Sequence, residues 1–320
     1  MKKVKKKSIL VVGGAGYVGG ITTDLLTTAG YDATVFDNLM YEPRYLKECN
    51  LITGDVRDLH LLSRIHQRFD EIIWLAAIVG DGACEQQPEL TKSVNVDSIR
   101  NFLRKTKRRI IYLSTCSVYG AQNHLLNEKS KTNPLSLYAY TKLEAEKFVL
   151  RNNGLVFRLG TLFGIGDRYS RIRLDLVVNF LSLRAFRDKH LIVFGGKQWR
   201  PLLAVTDVGN YLVEAVNSNR SGVYNLKFEN VTIADLAKRF KRVIPHLSVD
   251  FTKVQFEDSR NYRVSSRKAE RDFSFKPRIT VEEEIHRLIT LFKEGRIQNV
   301  NDNSYYNTNY VKALLLNHAI

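Results

Sequence analysis

Short runs of apolar residues, separated by longer stretches with a single apolar face, set the pattern of the first half of the chain. Ile9–Val12, Thr34–Phe36, Glu71–Leu75, Ile110–Ser114 and Val156–Leu159 carry apolar side chains at successive positions and predict strands covered on both faces. Amphipathic stretches at Gly16–Ala29, Asp58–Arg68, Glu89–Lys105 and Leu137–Asn152 predict helices between them. Strands alternating with helices describe a parallel sheet with helices on both sides, so the expected fold class is α/β, a doubly wound sheet of Rossmann type. Past Leu159 the regularity weakens. Leu191–Phe194 and Val223–Leu226 predict further strands, and Asp207–Val216, Ile233–Val243 and Val281–Phe292 further helices. A first domain over 1–160 and a smaller lobe over 161–320, partly interleaved with it, is the division this suggests. The stretch Glu294–Ile320 is rich in Asn and Tyr, with little periodicity before Tyr310–Leu316, and no role can be read from it.

Composition narrows the class. With 44% apolar and 26% charged residues in 320, the chain has the makeup of a globular protein with a sizeable core. No apolar run approaches the roughly 18 residues that span a bilayer, and the lysine-rich start leads into a stretch too short for a secretion signal. A cytoplasmic protein without a membrane partner is expected. Three cysteines, Cys49, Cys84 and Cys116, lack metal-ligand spacing, so no metal is expected. The net charge of +16 raises nucleic acid as a partner, but the basic residues are spread along the chain without a recognition motif. We expect no nucleic-acid partner, and read the charge as a solvated surface that also favours a diphosphate ligand.

The sharpest local signal is Ile9-Leu10-Val11-Val12-Gly13-Gly14-Ala15-Gly16-Tyr17-Val18-Gly19-Gly20, a buried strand running into a glycine loop and a helix. Gly13, Gly16 and Gly19 hold the spaced positions: one for a tight turn, one for close approach of a pyrophosphate, one for helix-to-strand packing. The amides of Tyr17 and Val18 then open the helix toward the phosphates. The next strand ends in Asp37-Asn38, a carboxylate about 20 residues past the loop, placed to accept hydrogen bonds from ribose hydroxyls. Asp37 would repel a 2′-phosphate, which makes NAD the expected cofactor rather than NADP. Gly54-Asp55-Val56 follows a further apolar strand and could meet the adenine, although Asp55 is equally plausible as a helix cap.

Tyr138-Ala139-Tyr140-Thr141-Lys142 puts Tyr138 and Lys142 one helical turn apart on one face. A tyrosine of ordinary pKa about 10 becomes an acid/base near neutrality only when its phenolate is stabilised, and an ammonium one turn away can do so. Ahead of it, the strand ending in Ser114-Thr115 places a hydroxyl at the carboxyl edge of the sheet, where ligands bind in folds of this kind.

Taken with Leu75-Ala76-Ala77, Asn95, Val118-Tyr119-Gly120 and Arg158-Leu159, these features resemble the extended short-chain dehydrogenase/reductase family, the NAD-dependent epimerases and dehydratases of nucleotide sugars. The resemblance spans roughly the first half, in the family's order. It implies that Tyr138 is the acid/base at a sugar carbinol, that Lys142 holds the nicotinamide ribose and lowers the Tyr138 pKa, and that Thr115 completes the catalytic set. Leu75, Ala76 and Ala77 would border the cofactor, and Asn95 would support the site or serve as a cap or core amide. In the second half it implies that Asn179, Arg200 and Arg260 meet a substrate diphosphate, a task suited to bidentate guanidinium groups. Val79 and the neighbouring Gly80-Asp81-Gly82, with Gly164–Arg171, are expected along the sugar pocket.

Dehydratases of the family carry an acidic pair after the catalytic threonine, where this chain has Cys116 and Ser117. Chemistry at one carbon remains: an epimerase acting through transient oxidation at C4 is expected, with a 4-dehydrogenase or 4-ketoreductase as the alternative. A non-catalytic NAD-binding regulator on the same fold is the reading of a different class. The helices Glu89–Lys105 and Leu137–Asn152, which pair across a two-fold axis in many relatives, suggest a homodimer.

Overall fold

The computed structural model describes residues 6–42, 44–252 and 261–316. Seven strands form the main sheet: β1 (Ser8–Val12), β2 (Asp32–Asp37), β3 (Asn50–Thr53), β4 (Glu71–Trp74), β5 (Ile111–Thr115), β6 (Leu155–Leu159) and β7 (Gly222–Leu226). They lie in the order β7-β6-β5-β4-β1-β2-β3, every neighbouring pair parallel. The order reverses between β1 and β4, and in an open sheet that switch point leaves a crevice at the carboxyl ends of the strands.

Continuous apolar runs serve this sheet because both faces are covered. Along β5 and β6 successive side chains enter different cores: Ile111, Leu113, Leu155 and Phe157 on one face, Tyr112 and Val156 on the other. The first face is closed by the helices Tyr17–Thr28 and Val205–Asn217, through Leu26, Val208, Tyr211 and Leu212. Leu59–Ile65, Ser98–Thr106 and Leu137–Arg151 close the second, through Leu62, Phe102, Ala145 and Val149.

Two features of the second half depart from a simple reading of order along the chain. Val223–Leu226 lies in the main sheet as part of β7, paired with β6, and the helix Val205–Asn217 covers that sheet. The remaining lobe is built on a three-stranded sheet of Thr161–Phe163, Trp199–Ala204 and Glu229–Thr232, over a core of Phe163, Leu202, Val231, Leu236 and Ile285. The expected helix Glu89–Lys105 is divided into Pro88–Lys92, a wider π turn at Ser93–Asp97, and Ser98–Thr106. Beyond Glu294 the chain forms a short 3-10 turn, Asn303–Tyr305, and a helix, Asn307–Leu316, that packs against the helix Asp81–Gln86. No helix among the described residues is long and apolar enough to cross a membrane.

Candidate functional site

A cavity of about 910 Å³ follows the carboxyl edge of the sheet, bordered by Gly13, Asp37, Ala76, Thr115, Tyr138, Lys142 and Arg200. Its volume lies near the upper end for ligand sites.

At the switch point, Gly13 has φ +83° and donates its amide to the Phe36 carbonyl at 2.7 Å, joining the loop to the end of β2. A Cβ there would sit 2.4 Å from the Ala76 amide nitrogen, and one at Gly19 would sit 2.4 Å from the Gly13 carbonyl oxygen. Only glycine permits these approaches. Gly16 is the N-cap of Tyr17–Thr28 and has no side-chain cap, so the first-turn amides open toward the cavity. This cradle, closed by backbone and free of side chains, fits a pyrophosphate. Asp37 stands beside it, its two oxygens accepting from the Ala15 and Leu39 amides at 3.0 and 2.8 Å, with burial pushing its carboxyl upward. Asp55 is bound by Arg57 and by the Asn38 amide, which hold its pKa down against burial. The neighbouring helix is capped by Asp58, not Asp55. Val56, Leu75, Ala76, Ala77 and Val79 all line the cavity, as do Tyr17 and Val18. These residues fit NAD, with the glycine loop at the pyrophosphate and Asp37 at the ribose hydroxyls.

The helix Leu137–Arg151 begins with Ser136 as N-cap, its hydroxyl accepting from the Ala139 amide at 3.2 Å. That start sets Tyr138 in the first turn, where it lines the cavity together with Thr115 from the end of β5. Burial pushes the Tyr138 phenol up, as do Cys84 and Asp81, while Arg173 and Thr115 pull it down. Lys142 lies 3% exposed, its ammonium 4.1 Å from the Tyr112 ring centroid. Burial brings its pKa down to about 7, against the opposing pull of Glu146 and Cys84. Thr115, Tyr138 and Lys142 therefore meet in one place, as the sequence suggests.

Asn95 lies in the π turn, where the wider backbone aims its amide at the loop after β4. It accepts from the Ile78 amide at 2.8 Å and donates to the Ile78 carbonyl and the Thr141 hydroxyl. It clamps the cavity wall to the helix Leu137–Arg151. Cys116 is fully buried, its thiol directed at the Arg158 carbonyl and pushed up by burial, and Ser117 hydrogen-bonds the Tyr262 hydroxyl at 3.1 Å. Neither supplies the acidic pair of a dehydratase.

Of the residues expected at a diphosphate, Arg200 borders the cavity. Asn179 lies beneath the wall, fully buried, its amide holding the Gly164 amide and carbonyl and the Arg173 carbonyl. Arg260 falls outside the described residues. The sequence reading missed Arg173, Asp175 and Tyr262, and also Tyr306 and Thr308 of the C-terminal segment, all on the cavity wall. Arg171-Ile172-Arg173-Leu174-Asp175 did carry a signal: strict alternation buries Ile172 and Leu174 and turns the charged residues to the other side. Among the described residues there is no group of three or more His, Cys, Asp or Glu able to hold a metal ion.

UDP-glucuronic acid decarboxylase 1 of Danio rerio is 29% identical over 310 residues, covering 90% of this chain and 73% of that protein. UDP-glucose 4-epimerase of Rhizobium meliloti is 31% identical over 160 residues, 48% of each chain. In structure, the UDP-glucose 4-epimerase of Thermotoga maritima superposes with a TM-score of 0.78 at 22% identity, over 90% of this chain and 99% of that one. The profile of the NAD dependent epimerase/dehydratase family matches residues 9–227. With two thirds of its length under that profile, the chain is an enzyme of the NAD-dependent epimerase/dehydratase family.

Proposed function

We propose that this enzyme epimerises a nucleotide-linked sugar by transient oxidation of one carbinol carbon, C4 of the sugar. The observation that carries the reading is the meeting of Thr115, Tyr138 and Lys142 in a single cavity that reaches the glycine cradle and Arg200. Tyr138 takes the proton of the sugar hydroxyl and later returns it, while Thr115 hydrogen-bonds the same oxygen. NAD, when bound, supplies the acceptor and then the donor of the hydride at that carbon. Lys142 and Arg173 stabilise the Tyr138 phenolate as it forms. Cys116 and Ser117, engaged with Arg158 and Tyr262, stand where dehydratases of the family carry an acidic pair, which favours chemistry at one centre. Arg200, on the cavity wall, binds the diphosphate in this reading. The reverse face of the ketone becomes accessible if the sugar turns before reduction, which a roomy cavity permits.

A second reading is favoured by the pair of guanidinium groups, Arg171 and Arg173, on the cavity wall. They would suit a sugar acid, and oxidation at C4 leaves a C6 carboxylate β to a ketone, which can then leave as carbon dioxide.

Incubating the protein with UDP-glucose, UDP-glucuronic acid and GDP-mannose, while following NADH absorbance, carbon dioxide and product stereochemistry, tests both. A C4 epimer without accumulated NADH is expected. A pentose product with carbon dioxide would replace the first reading by the second. A keto-sugar accumulating with NADH would make the enzyme a dehydrogenase, and no turnover of any nucleotide sugar would remove all three.

A further inference from the structure

The C-terminal segment contributes a wall to the cavity. Tyr306 and Thr308 border it, and Asn307 between them is 1% exposed. Asn307 reaches three separate parts of the wall. Its side-chain oxygen accepts from the Arg171 guanidinium, its backbone amide donates to Asp175 Oδ2 at 3.1 Å, and its side-chain nitrogen donates to the Val79 carbonyl at 2.9 Å. Arg171 also donates to the Ser304 carbonyl and lies 4.4 Å from the Tyr41 ring centroid. Tyr310 closes the clasp, its ring tilted against that of Tyr41 with centroids 5.2 Å apart, and donates to the Met40 carbonyl at 2.7 Å.

Arg173 is bidentate to Asp175, with both bonds at 2.8 Å, and its third nitrogen, Nη1, has no partner among the described residues. Arg173 also acts on Tyr138, drawing its phenol down. The wall therefore presents donors and a carboxylate acceptor together beside the acid/base. Sugar hydroxyls both donate and accept, and match such a mixed surface. A phosphate only accepts, and would leave the Asp175 acceptor unmatched.

We propose that residues 303–316 are a strap that completes the sugar subsite, with Asn307 positioning Arg171, Arg173 and Asp175 to hydrogen-bond the sugar hydroxyls. This rests on the nucleotide-sugar reading above. Removing the Asn307 side chain takes away the bonds to Arg171 and Val79 at once and leaves the backbone bond to Asp175, while the glycine cradle and Arg200 stay untouched.

The test uses the intact protein with bound NAD and the variants Asn307→Ala and Asn307→Asp; the aspartate keeps an acceptor for Arg171 and the backbone amide. Calorimetry measures UDP against UDP-glucose and UDP-glucuronic acid, and GDP against GDP-mannose. Bound NAD and melting temperature report on the fold. The nucleotide alone should bind wild type and variants within about twofold. The preference for nucleotide sugar over nucleotide should fall about tenfold in Asn307→Ala and recover in large part in Asn307→Asp. An unchanged preference in Asn307→Ala overturns the strap. So does an equal loss of sugar and plain nucleotide binding, which would mark Asn307 as merely structural. Wild-type protein that binds none of these nucleotides refutes instead the reading of function on which the strap depends.

Discussion

Lys142 shows how one residue can hold opposing requirements. Its ammonium is useful beside Tyr138 only when charged, yet burial favours the neutral amine and brings its pKa down to about 7. The unfolded chain titrates this lysine near 10.4. Between those values the unfolded state binds more protons, so the group's contribution to stability rises as pH increases through that window, and the full penalty applies below it. In nucleotide-stripped protein, Lys142→Met should therefore raise the melting temperature at pH 6.5 and lose this advantage progressively toward pH 10. The same variant should lower turnover by about 10² to 10⁴, the usual contribution of a positioned acid/base system. Calorimetric scans across pH with matched turnover assays check both, and a melting difference independent of pH would show that Lys142 is not the titrating group. At this scale the site was legible where its chemistry is local: the glycine loop, Asp37 and the Tyr138/Lys142 spacing all sit within single strand-helix units. Tyr262 was not legible. It reaches the cavity from a loop whose approach depends on the packing of the second lobe.

Among the elements, β5, β6 and the helix Leu137–Arg151 are joined by a buried polar cluster centred on Glu146, one turn beyond Lys142. Arg158 from β6 meets both Glu146 oxygens, with Nε at 3.0 and 3.2 Å and Nη2 at 2.6 Å, while Ser114 from β5 donates to the same carboxylate at 2.5 Å. Arg158 continues to the Tyr119 hydroxyl at 2.9 Å, and Tyr119 to Asn225 of β7 at 2.8 Å. Glu146 is 1% exposed, so its pairing offsets the cost of burying a carboxylate. Arg158→Met should destabilise the fold by about 3 kcal/mol, and the double variant with Glu146→Gln should recover part of that loss, because it removes the stranded charge. Denaturant unfolding of both variants decides this, and equal stability of single and double variants would contradict it. The elements themselves followed from apolar periodicity, with helix Ile233–Val243 matching the expected limits. The break in Glu89–Lys105 did not, since a π turn leaves the side-chain pattern nearly helical and shows itself only in the tertiary role of Asn95.

For the whole molecule, chain order and spatial order part ways at β7. Only an apolar run and a helix pattern mark Gly222–Leu226 and Val205–Asn217 in the sequence; their partners are β6 and Tyr17–Thr28, far earlier in the chain. The core on that face draws Ile9, Val11, Ile111 and Phe157 from the first half, and Leu203, Val208, Tyr211, Leu212 and Leu226 from the second. A fragment of residues 1–160 would expose the edge of β6 and lose the second-half part of that cover, including Tyr211 and Leu212. Burial of one large apolar side chain contributes about 1.5–3 kcal/mol, so losing several exceeds the 5–15 kcal/mol that holds a typical domain together. The fragment is therefore expected to be insoluble or molten and to bind no NAD, although it contains the glycine cradle, Asp37, Thr115, Tyr138 and Lys142. A fragment of residues 1–227, which matches the family profile and restores β7 and its covering helix, should regain a cooperative transition. Near-ultraviolet dichroism and NAD titration of the two fragments separate the outcomes, and a folded, NAD-binding 1–160 fragment would show that the first half is independent of the strand it borrows.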